Sequence, residues 1–136
     1  MGLVYAEITL KNAGDRILAQ RGIMKDSEVR QVAVTAMVDT GAATIVINEA
    51  LRQQLGLTLE DTYRGRLADG SAHTYAYAEA VEIIWKNRKS LMRPIVVPNA
   101  TEVLLGALPL EEMDLIISPA KQELVGAHGD EPLHRV

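Results

Sequence analysis

Residues 32–57 read VAVTAMVDTGAATIVINEALRQQLGL, and this stretch decides the fold. An apolar run from Val32 to Val38, broken only by Thr35, stops at Asp39-Thr40-Gly41-Ala42. A second apolar run, Ala43 to Ile47, follows at once and is β-branched from Thr44 onward, which favours a strand. The first run is continuous enough to predict a strand buried on both faces. Asn48 then offers an N-cap, Glu49 suits the positive end of a helix dipole, and Leu51 and Leu55 share one helical face. Gly56 fits the residue after the last turn. The pattern is strand, acidic turn, strand, short helix. A carboxylate between two apolar strands is expected to be strongly desolvated, which disfavours its charged form and makes it a candidate functional group.

Toward the N-terminus, Leu3 to Leu10 alternates, with Val4, Ala6, Ile8 and Leu10 on one face of a strand. Asn12-Ala13-Gly14-Asp15 reads as a turn, Arg16 to Ala19 as a returning strand, and Gln20 to Gln31 as an exposed loop. Toward the C-terminus, Thr62 to Ala68 and Ala72 to Trp85 flank Asp69-Gly70, a strong hairpin signal. Period two places Tyr75, Tyr77, Val81, Ile83 and Trp85 on one face of the second arm, and Ala76, Ala78 and Ala80 on the other. Leu91 to Val97 predicts a further strand, with Pro94 pointing to an edge or a bulge. Val103 to Leu105 predicts a short buried strand. Pro109 fits the first turn of a helix running to about Met113. Leu115 to Ile117 and Glu123 to Val125 flank a closing turn, and residues 126–136 form a polar, flexible tail. Many short strands and one or two short helices predict a mostly β domain, a closed or Greek-key barrel, over residues 1–125.

Composition narrows the function. The chain has 136 residues, enough for one domain with a real core. Fourteen basic against 18 acidic residues leave a formal charge of −4 with no basic cluster, which argues against a nucleic-acid groove. The absence of cysteine excludes disulfides, thiol catalysis and cysteine-based zinc sites. His73, His128 and His134 are scattered outside any zinc spacing. MGLVYAEITL shows no basic region followed by a long apolar one, and nothing approaches a membrane-spanning length, so the expectation is a soluble cytoplasmic protein. The tyrosine and tryptophan stripe reads as cross-strand packing, not as a platform for bases.

Asp39-Thr40-Gly41-Ala42 between apolar strands resembles the active-site loop of retropepsin-like aspartic proteases. Val103-Leu104-Leu105-Gly106 before a short helix is similar to that family's second signature, and the resemblance runs from about Val32 to Val125. It implies a closed β-barrel of the acid-protease fold and an aspartic endopeptidase acting on peptides or unfolded protein. No metal or cofactor is implied. Asp-Thr-Gly occurs once, so a two-carboxylate mechanism needs a second copy of the chain, and Asp39 would be the catalytic residue of a homodimer. The Thr40 hydroxyl would bond across the axis, and Gly41 would allow a close approach of backbones. The Asp69-Gly70 hairpin resembles the substrate-covering flap, with Leu67, Ala68, Asp69, Gly70 and Ser71 at its tip; an ordinary hairpin turn explains the same residues. Where viral members continue with Arg and then Asp or Asn after the glycine, this chain has Ala107 and Leu108. A non-catalytic dimeric module that binds peptides or partners on the same fold is the alternative.

Ala42 stands where several aspartic proteases carry a hydroxyl that donates to the carboxylate. Such a bond favours the charged form. Its absence predicts activity reaching toward neutral pH. Ala42→Ser is expected to move the acid limb of the pH–rate profile downward; an unmoved limb would refute the role given to this position.

Overall fold

The structure, a computed structural model, describes residues 2–66 and 70–131. Strand β1 (Tyr5–Asn12) buries Ala6, Ile8 and Leu10 and exposes Tyr5 and Glu7, so its alternation is read correctly from sequence. It pairs antiparallel with β2 (Gln31–Val38), with Ile8 opposite Val34. In β2 only Ala36 and Val38 are buried, while Ala33 and Thr35 are exposed. The expectation of burial on both faces is therefore corrected: the outward face, where Thr35 bonds Glu7, meets no covering layer at these positions.

The segment between these strands departs most from the sequence reading. Residues Ala13–Gln20 form helix α1, not a turn and a returning strand. Asn12 is its N-cap: the Asn12 side chain accepts from the Asp15 amide at 3.0 Å and donates to the Leu55 carbonyl at 2.9 Å. Turn chemistry and capping chemistry use the same residue types, which is why the sequence misleads here. Asp15 is 3% exposed and receives the Arg30 amide, Nε and Nη2 at 2.8–3.1 Å. Arg30 in turn packs against Gly56, where an added Cβ would stand 1.8 Å from its Nη1. This knot fixes α1, the loop before β2 and the end of the next helix together.

After the acidic turn come β3 (Ile45–Ile47) and helix α2 (Glu49–Leu55), capped by Asn48 and ended by Gly56 in the left-handed region at φ 66°, as its sequence predicts. Hydrogen bonds from Arg52 and then Gln53 pull the Glu49 carboxyl down to about 2. Strands β4 (Leu59–Arg66) and β5 (Ala72–Ala78) pair as the expected hairpin arms, but the second arm stops at Ala78. A break at Glu79-Ala80, whose backbone bonds Thr58 and Ala13, separates it from β6 (Val81–Trp85). The break resets the alternation, so fully buried Ala78, Val81 and Ile83 share the core while Tyr75, Tyr77 and Trp85 are half-buried.

Strand β7 (Arg88–Met92) turns back on β6, and Arg93-Pro94 divide it from β8 (Ile95–Val96). Pro94 is buried and β8 lies between β5 and β3, so the proline precedes an interior strand and marks no edge. Then follow β9 (Val103–Leu105), helix α3 (Ala107–Glu112), and the hairpin β10 (Leu115–Ser118) and β11 (Glu123–Gly126).

Nine strands curl into a half-barrel in the order β4-β5-β8-β3-β9-β2-β1-β6-β7, with β10-β11 as a separate pair. Leu10, Ile45, Ile47, Leu55, Leu57, Ile83 and Leu105 are the fully buried centre. The mostly β expectation holds, and α1 adds a third helix to it. The tail folds back on the domain as far as Asp130, whose carbonyl accepts from the Asn87 side chain at 3.1 Å. The buried Arg88 guanidinium donates to the carbonyls of Met113, Asp114 and Gly129, and His128 pairs with Asp114 at 2.9 Å. Among the described residues no helix is long and apolar enough to cross a membrane.

Hydrogen bonds from Arg30, opposed by burial, hold the Asp15 carboxyl below the usual carboxylate range. A depressed folded value means the contribution is complete above the ordinary carboxylate pKa and disappears as pH falls through the lowered one. Asp15→Ala is expected to cost about 2 kcal/mol near neutral pH and to flatten the acid side of the stability curve. Urea unfolding across pH checks both; parallel curves for the two proteins would contradict the assignment.

Candidate active site

The acidic turn hangs from a strand that arrives late in the chain. β9 lies between β2 and β3, parallel to the first and antiparallel to the second, so Leu105 faces both Val38 and Ile45. The Asp39 amide donates to the Leu105 carbonyl at 2.9 Å. The Ala42 amide closes the turn on the Asp39 carbonyl at 3.0 Å, and the Gly41 amide donates to Asp39 Oδ1 at 2.9 Å. The carboxylate is thus aimed by the backbone of its own turn.

The next support comes from α3. The first amides of a helix have no partner within it. Here Ala107 donates to the Ala42 carbonyl at 2.8 Å and Leu108 to the Ala43 carbonyl at 2.9 Å. Gly106 makes that approach possible: a Cβ there would lie 2.2 Å from the Thr44 carbonyl oxygen and 2.5 Å from that of Ala42. Thr44 itself is buried, and its hydroxyl donates to the Arg93 carbonyl at 3.0 Å. The short buried strand expected at Val103 to Leu105 is present, with Val103 and Leu105 buried and Leu104 half-buried.

Asp39 is half-buried, and Thr40 and Gly41 are exposed. The carboxylate is not deeply buried as expected, because the strands end before the turn and, among the described residues, none closes over its outer face. Beside Asp39 opens a cavity of about 250 Å³ lined by Leu3, Val4, Thr40, Ile117 and Pro119 among others. A second hollow of about 370 Å³, more apolar, runs from Thr40 past Leu110 and Leu115. Leu108 is 50% and Ile116 51% exposed on this side of the molecule.

The other sequence candidates fall as follows. Ala42 gives the loop its backbone contacts and brings no hydroxyl. Gly70 adopts φ +87°, which suits a tight turn at the hairpin tip, and the Ser71 hydroxyl lies 3.0 Å from His73 Nε2. Leu67, Ala68 and Asp69 lie outside the described residues. Among the described residues no three carboxylates or histidines cluster as a metal site. Sequence reasoning missed Arg93, whose guanidinium meets the base of the β4-β5 hairpin. A strand break at a proline was its only signal.

A family model described as "gag-polyprotein putative aspartyl protease" matches residues 26–112. The chain belongs to this family. The matched aspartyl protease segment runs from the loop before β2 to the end of α3, and so contains the acidic turn and both of its supports. A retropepsin-like aspartic protease from Rickettsia conorii, known from its crystal structure, shares the fold at a TM-score of 0.50 and 20% identity, over 86% of this chain and 88% of that one. No curated protein matches significantly in sequence.

Gly106→Ala is expected to destabilise the aspartyl protease domain by about 3 kcal/mol, since two backbone carbonyls must give way. Gly22→Ala, at φ +75° but in open space, should cost only about 1 kcal/mol. Urea denaturation of both variants checks the contrast; equal losses would mean that the α3–loop contact is not close.

Proposed function

We propose that the chain is an aspartic endopeptidase whose active form is a homodimer, each copy giving one Asp39 to a shared site. The observation that carries this reading is the single acidic turn, aimed by its own backbone and left open on the side of an apolar surface. An ordinary Asx turn makes the same amide bond; what favours the functional reading is the apolar surface beside the turn together with the aspartyl protease family match.

Two carboxylates about 3 Å apart cannot both ionise and so share a proton. The charged one takes a proton from a water held between them, and the protonated one donates to the carbonyl oxygen of the scissile amide. The water oxygen adds to the carbonyl carbon. Collapse of the tetrahedral species with protonation of the nitrogen releases an amine and a carboxylic acid. The observed titration belongs to the pair. A two-fold axis beside Thr40 brings the same turn in twice.

Supporting that axis, Leu108 and Ile116 expose large apolar side chains near the turn, where a partner would cover them. Ala107 and Leu108 thus offer apolar burial where viral members carry Arg and then Asp or Asn. The β4-β5 hairpin is proposed as the cover over an extended substrate, with Gly70 and Ser71 at its tip and backbone pairing as the means of grip.

The test is cleavage of a diverse mixture of unfolded peptides, read by mass spectrometry from mildly acid to neutral pH, with Asp39→Asn in parallel and sedimentation of both proteins at micromolar concentration. Cleavage by a wild-type dimer and at least a thousandfold less by the variant is expected. Equal cleavage by both, or activity from a strict monomer, would refute the shared-carboxylate mechanism. No cleavage by a stable dimer would favour the peptide-binding alternative.

A further inference from the structure

Arg93 is attached to the molecule in two directions. Its carbonyl oxygen accepts the hydroxyl of Thr44, in the segment that leaves the acidic turn and whose carbonyl touches Gly106. Its guanidinium reaches the β4-β5 hairpin. Nη1 donates to Asp61 Oδ2 at 2.9 Å, Nε lies 3.7 Å from Glu60 Oε1, and the guanidinium carbon stands 4.5 Å from the centroid of the Tyr77 ring. Glu60 and Asp61 belong to one arm of the hairpin and Tyr77 to the other.

The local backbone explains how one cation meets two neighbouring carboxylates. In a regular strand, consecutive residues point to opposite faces. Between Leu59, opposite Ala78, and Thr62, opposite Ala76, β4 carries one residue more than β5. That bulge breaks the alternation and re-aims the side chains it carries. Bulge, acidic pair and arginine meet at the base of the hairpin, the end away from its tip. Two adjacent acids gain nothing from each other, and their common partner is a planar cation able to bond one and stack on a ring at once.

We propose that Arg93 is a positioning residue: it sets the angle of the β4-β5 hairpin with respect to the Asp39 turn, and it does so through contacts that salt can loosen. This role rests on the reading of the hairpin as a substrate cover. The side chains of Arg93, Glu60 and Asp61 are 43%, 42% and 62% exposed, so each contact is individually weak and screened by ions. A hinge held in this way stays put in dilute salt and yields without unfolding of the sheet behind it.

The experiment is hydrogen exchange read by mass spectrometry on wild type, Arg93→Met, Arg93→Lys and Asp61→Asn, with KM and kcat measured on one cleaved peptide. Arg93→Met should speed exchange in the hairpin arms about tenfold while β1 and β2 keep wild-type protection. KM should rise more than kcat falls, Arg93→Lys should recover part of both effects, and about 1 M salt should loosen the wild-type hairpin far more than that of Arg93→Met. Asp61→Asn, which leaves the entry to β8 untouched, should reproduce the faster exchange more mildly. Unchanged hairpin exchange in both Arg93→Met and Asp61→Asn would overturn the clamp, as would a uniform rise across the sheet. Faster hairpin exchange in a protein that cuts nothing would support the clamp and count against the protease reading alone.

Discussion

The contact on which the site depends is the one between Gly106 and the carbonyls of Ala42, in the acidic turn, and Thr44, just after it. β2 and β3 leave the turn on either side without pairing with each other, and β9 fills the gap between them. The turn is then closed from above by its own amide bonds and from behind by the first amides of α3. These bonds form only if the helix starts within van der Waals distance of Ala42 and Thr44, and only a residue without a Cβ permits it. One amide of its own turn holds the Asp39 carboxylate, and several mutually dependent backbone bonds hold that turn. That is the property a shared two-carboxylate site requires, because each carboxylate must leave its other oxygen free for its mate and for water.

What could be read from the sequence follows from how local the causes are. The Asp39 turn, β3, α2 and the helix after Gly106 were legible because caps, β-branching and turn residues act within a few positions. The core face of β1 was legible because its alternation is uninterrupted. Residues 12–20 misled because Asn12, Gly14 and Asp15 serve a turn as well as they serve a helix start. The deciding partners, Arg30 and the Leu55 carbonyl, lie far along the chain. The hairpin's second arm misled for a related reason: the break at Glu79-Ala80 is imposed by bonds to Thr58 and Ala13, and no residue in the segment itself announces it. In the candidate site, the chemical group was visible and its environment was not. Burial of Asp39 depends on what covers the turn, and the apolar flanks say nothing about that.

Two of the charged clusters among the described residues differ in a simple respect. Asp15 is buried and Arg30 supplies it with three donors, so this pair acts as a fixed part of the architecture. Around Arg93 every member is partly in water, and the same chemistry becomes adjustable. Arg88 is a further case, a cation whose donors go to backbone carbonyls and join the Met113-Asp114 segment to Gly129 of the returning tail. Arg30 and Arg93 both reach water; what separates the two clusters is the carboxylate, buried in Asp15 and exposed in Glu60 and Asp61.

The place of β9 in the sheet also governs when the site can come into being. Its residues lie far downstream of the turn that they hold, so neither β2 nor β3 has its central neighbour until most of the chain is available. Pairing across such separations is slow, and a chain emerging from the ribosome carries the Asp39 segment for a long interval with its supports still missing. Assembly order thereby delays the fixing of the Asp39 turn until synthesis has passed α3.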